Sequence, residues 1–160
     1  MPKSLIFVLV IFVWDSGQVL DSIVRYSIKI DYYLWESLGL SWVFFVIQFA
    51  SLSLLVAALT VLWEPRPYGL KICLVQAGWM AVYGIISAAL IFKDIPGVRE
   101  VYMLGREIRG LSVRPEAADL IFTQSGILGT LIFSLTFALL IVLIIWRNRW
   151  WFIATENTTS

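Results

Sequence analysis

Asp15 is the residue of this chain best placed to do chemistry. It lies ten residues beyond Leu5, where an apolar run begins. At ~1.5 Å per helical residue this sets a carboxylate about 15 Å along a membrane-crossing helix, near the bilayer centre. A charge there costs at least ~2.5 kcal/mol on insertion scales, so the group must face the protein interior, find a partner or take up a proton. The chemistry this allows is binding of a proton or a ligand; the plainer alternative is a hydrogen bond that holds two helices together. Gln18, Asp21, Gln48, Ser51 and Gln124 extend the pattern. Depth counting brings Gln48 ~12 Å and Gln124 ~6 Å into the membrane from the side away from the termini, the side that the first helix approaches through Asp15, Gln18 and Asp21. Asp15, Gln18, Asp21, Gln48 and Gln124 are therefore the candidate ligand-binding or proton-linked site, a polar intramembrane pocket opening away from the termini.

No catalytic constellation accompanies it. Histidine is absent, which removes the commonest general base and metal ligand together. Cys73 is the single cysteine, so no internal disulfide forms. There is no phosphate-cradling glycine loop, no dinucleotide fingerprint and no paired-cysteine metal motif, so no catalytic residue, metal or cofactor is assigned. An enzyme is not the expected reading, because only isolated carboxylates are present to act as acid or base. The formal net charge of +1 supplies no pull toward nucleic acid. Arg25 beside Asp21, Lys29 beside Asp31, and the arginines between 99 and 114 stand among acids and read as solvated faces.

The elements that must position the site follow from hydropathy. Of the 160 residues 60% are hydrophobic and 14% charged, with a mean hydropathy of +0.87, where a soluble domain is nearer half apolar and a quarter charged. Four stretches, about 5–26, 40–63, 72–92 and 119–146, are each long enough to cross ~30 Å of hydrocarbon. The expected fold is an all-α, integral membrane four-helix bundle, one four-span domain over 1–153 with a polar tail at 154–160. The first run is expected to be a retained anchor rather than a cleaved signal, since no pair of small residues follows Trp14. Its polar residues at 15, 18, 22, 25 and 29 keep helical spacing, which predicts a single long helix that projects or bends at the surface.

Glu64-Pro65-Arg66-Pro67-Tyr68-Gly69 forces a tight connection between spans two and three. In the longer loop, Val98, Val101, Leu104, Ile108 and Leu111 recur at helical spacing against charged residues. This predicts a short amphipathic surface helix over about 97–111. Pro115, Glu116 and Asp119 read as the first turn of the fourth helix. Small residues line span three at Ala77, Ala81, Gly84 and Ala88, and span four at Gly126, Thr130, Ser134 and Ala138, as close helix packing in lipid requires.

Four spans place both termini on one side. The opposite side carries seven Lys and Arg residues against five on this one. However, Lys3, Arg66, Lys71, Arg147 and Arg149 all sit at helix ends, whereas several of the seven are mid-loop. On that ground cytoplasmic termini in a plasma (inner) membrane are expected. The expected role is non-enzymatic: an accessory, scaffold or assembly subunit of a membrane complex, in contact with the lipid bilayer and with other subunits or copies of itself. The alternative is a small carrier or binding protein for a lipid-like or small polar ligand, with Asp15 as its key group.

Overall fold

The computed structural model describes residues 1–153; the tail read as polar at 154–160 lies outside the described residues. Among the described residues the chain is helical, with no strand. Four helices are long and apolar enough to cross a membrane: α1 (Lys3–Val24), α3 (Ser41–Trp63), α4 (Gly69–Ile91) and α7 (Gln124–Arg147). Shorter helices connect them: α2 (Ile30–Glu36), α5 (Ile95–Ile108), α6 (Pro115–Ile121) and the terminal turn α8 (Trp150–Ile153).

The inward face of α3 is Phe44, Gln48, Ser51, Leu55, Ala58 and Leu62. Steps of three and four put them on one stripe. The helix stops at Glu64, which is extended because Pro65 disfavours helical backbone before it. The chain re-enters at Gly69, where a Cβ would lie 2.9 Å from both Phe152 and Val61; only glycine fits. Neighbours run α1–α3–α4–α7, with α4 against α7 the most extensive pairing and α1 against α7 much weaker. The two small-residue faces meet there, since a Cβ on Gly84 would lie 3.2 Å from Ser134 Oγ. Ala138 is buried, whereas Thr130 is exposed.

The apolar core occupies the half of the four helices nearest the termini. Leu5, Val8 and Phe12 of α1 pack with Leu55, Ala58 and Leu62 of α3, Cys73 and Ala77 of α4, Ile141 and Ile145 of α7, and Phe152. Asn148 closes this end by donating from Nδ2 to Ser4 Oγ at 3.0 Å.

Three sequence-based boundaries move. The first helix ends at Val24 instead of running on. A 3-10 turn at Tyr26–Ile28 follows, and an extended Lys29 leads into α2. Lys29 Nζ then reaches back to Asp21 at 2.5 Å, whereas eight residues of straight helix would separate them by ~12 Å of rise. The fourth span begins at Gln124, not 119. Pro115 does open a helix, but that helix is the separate α6, and Thr123 starts α7 afresh by accepting from Gly126 N–H at 3.0 Å. The surface helix is Ile95–Ile108. Asp94 caps its start through Gly97 N–H at 3.0 Å, and Gly110, with φ +66°, ends it. Of its apolar face Val98 is fully buried, while Leu104, Ile108 and Leu111 stay exposed.

Candidate functional site

Above the apolar core, on the side away from the termini, the helices enclose a cavity of about 270 Å³. The same faces that build the core build the cavity one turn further on. Asp15 follows Phe12 on α1, Gln48 and Ser51 precede Leu55 on α3, and Gln76 follows Cys73 on α4. Ser134 of α7 and Asp31 of α2 complete the enclosure.

Trp79 and Tyr83 stack at 6.3 Å with 24° between their planes. Gln76 is only 1% exposed, yet its Oε1 has no hydrogen-bond partner. Such an orphan is uncommon, and it costs ~1–3 kcal/mol when left unpaired. The Asp31 carboxyl faces the Tyr83 and Ser87 hydroxyls. Burial pushes it above the usual carboxylate range, against the opposing pull of those hydroxyls and of the Lys29 charge. Among the described residues no lysine or arginine lines the cavity.

The structure brings Asp15, Gln18 and Gln48 together on this cavity, with Ser51 beside them. It does not bring Asp21 or Gln124. The Asp21 carboxylate is held by Lys29 at 2.5 Å and Arg25 at 3.3 Å. Gln124 is the exposed first residue of α7. Sequence reasoning missed Asp31, Gln76, Trp79 and Tyr83. Gln76 had a readable signal, a polar amide three residues from Cys73 inside an apolar span.

Two further spaces adjoin. Toward α5, a recess of about 400 Å³ shares Gln18, Ser22 and Asp31 with the cavity and reaches Lys29, Tyr102 and Arg109. Between α4 and α7, an apolar crevice of about 350 Å³ shares Gly84 and Ser134 with it. Comparison with protein-family models, curated proteins and solved structures finds no match to this chain.

Proposed function

We propose that the chain is an integral membrane protein, a four-helix bundle with α5 at the membrane surface, that binds a small polar or lipid-like ligand in the cavity around Asp15. The observation that carries this reading is a buried, unpartnered polar atom on the cavity, Gln76 Oε1. An arrangement built only to hold helices together would give such a group a partner. In the orientation favoured by the basic residues at the helix ends, the termini are cytoplasmic in a plasma (inner) membrane and the cavity faces the other side.

A second reading, an accessory or assembly subunit, draws on Gly78 of α4 and Gly129 of α7. Both are exposed, and a Cβ on either would meet nothing within 4 Å, which leaves room for a helix of another subunit. One experiment separates the two. Protein purified in mild detergent from its native membrane is denatured, and everything released is identified by mass spectrometry. The binding reading expects a small molecule near stoichiometric amounts that Asp15→Asn and Gln76→Leu lose while remaining folded. A stoichiometric protein partner retained by Asp15→Asn, with no small molecule released, would favour the accessory reading instead.

A further inference from the structure

We infer that the occupant of the polar cavity is a cationic amphiphile, its primary ammonium head against Asp15 and Asp31 and its hydrocarbon chain lying in the apolar crevice between α4 and α7. This rests on the reading of the cavity as a binding site and names the chemical class of its ligand.

Charge selects the head. Two carboxylates and no basic side chain line the cavity among the described residues. Lys29, in the neighbouring recess, is engaged by Asp21 at 2.5 Å. Hydrogen bonding selects a donor: Gln76 Oε1 is an orphaned acceptor, and a primary ammonium carries three N–H groups. The Trp79 N–H already donates to Ser51, so what Trp79 and Tyr83 add to the lining is stacked ring surface, which attracts a cation.

Continuity selects the tail. Cavity and crevice share Gly84 and Ser134. A side chain on Gly84 would press on Ser134 Oγ, 3.2 Å from a Cβ, so glycine keeps α4 and α7 close while leaving the passage beside them unobstructed. Beyond it the crevice is lined by Ala88, Ile91, Ile127 and Leu131. Moving a methylene from water into such a lining strengthens binding about fourfold; measured against bilayer hydrocarbon, the gain comes from fit to the crevice instead.

The test uses the full chain in nanodiscs of zwitterionic lipid and dodecylamine bearing a terminal diazirine. Labelled residues are located by mass spectrometry, and dodecylamine and butylamine are each titrated by the rise in unfolding temperature. Label is expected on α4 near Ala88 and Ile91 and on α7 near Ile127 and Leu131. Dodecylamine should bind at least tenfold more tightly than butylamine, and Asp15→Asn combined with Asp31→Asn should abolish both. Thr130→Phe, which fills the crevice from an exposed edge, should weaken dodecylamine tenfold and leave butylamine unchanged; Ala88→Leu should do the same from the buried side. Equal labelling by the uncharged dodecanol analogue would mean that ordinary lipid fills the crevice, and the inference fails. Asp15-dependent butylamine binding with no gain from the longer chain would remove the tail site while leaving the polar-ligand reading intact. Absence of saturable binding by either amine overturns the cationic head, and release of an uncharged native ligand lost in Gln76→Leu would then still uphold the binding reading.

Discussion

The indole of Trp79 donates from Nε1 to the Ser51 hydroxyl at 2.7 Å, tying α4 to α3 at the cavity wall. Ser53, two residues further on, instead donates to the Phe49 carbonyl of its own helix at 2.8 Å. Exposure separates them: Ser51 is buried in the α3 stripe, and Ser53 faces outward. Ser51→Ala leaves the indole N–H unpaired beside the cavity and should cost ~1–3 kcal/mol. Trp79→Phe should cost more, through lost volume as well. In a double-mutant cycle followed by unfolding in detergent, the pair should couple by ~0.5–3 kcal/mol. Simple additivity would show that the bond contributes nothing to stability.

Two acids outside the long helices should give opposite pH dependences. The Tyr33 hydroxyl, and after it Gly97 N–H, hold Asp94 below the usual carboxylate range. Its contribution is complete above the unfolded value of ~4 and is lost as pH falls through the folded value. Burial raises Asp31, so its carboxyl favours the folded state at low pH, and that advantage disappears as pH rises through the raised value. Unfolding midpoints between about pH 3 and 8 should show Asp94→Asn removing the acid-side loss and Asp31→Asn removing the decline on the other side. An Asp31→Asn curve parallel to wild type would contradict the burial of that carboxyl.

The surface helix α5 rests on a glycine. A Cβ at Gly105 would lie 2.9 Å from the Ile28 carbonyl oxygen, so Gly105→Val must lift α5 from the turn beneath it, at ~1–3 kcal/mol. At Gly110 nothing lies within 4 Å, but φ is +66°. Gly110→Ala should therefore cost ~1–2 kcal/mol through backbone strain alone. Hydrogen exchange distinguishes them: the first should expose amides throughout α5, the second only those of its last turn.

Sidedness is testable with single cysteines, because Cys73 is fully buried and should stay silent to thiol reagents until denaturation. Arg66→Cys and Glu36→Cys, at opposite ends of α3, are expected to react from opposite faces of the membrane. Reaction of both from one face would sink the crossing assigned to α3.

Helix length and identity were legible because apolar run length reports them directly; the ends of α3 and α4 lie within three residues of expectation. The breaks at Arg25 and Phe122 were not. Helical polar spacing continues from 15 to 29 regardless, and what ends α1 is tertiary: Lys29 folding back on Asp21, and α5 lying over Ile28. The site follows the same division. Depth counting placed Asp15 and Gln48 beside one cavity. It set Gln124 ~6 Å deep because it started the fourth helix at 119, and a helix starting at 124 leaves that residue at the surface. Asp31, next to Lys29 in an aromatic connector, reads as solvated until α2 is seen packed against α3, α4 and α5.

The position of the apolar core has a kinetic consequence. Phe12, Leu55, Ala77 and Ile141 seal the end of the cavity nearest the termini, so the space is a cup and not a bore. If the bundle spans a membrane as proposed, a solute held there exchanges through the far side or the surrounding hydrocarbon, and the core bars a direct water path from the terminal side. Delivery across would then require the four helices to part at the level of that core. On that reading occupancy would follow the far side and the adjoining hydrocarbon, and the terminal side only by way of the lipid.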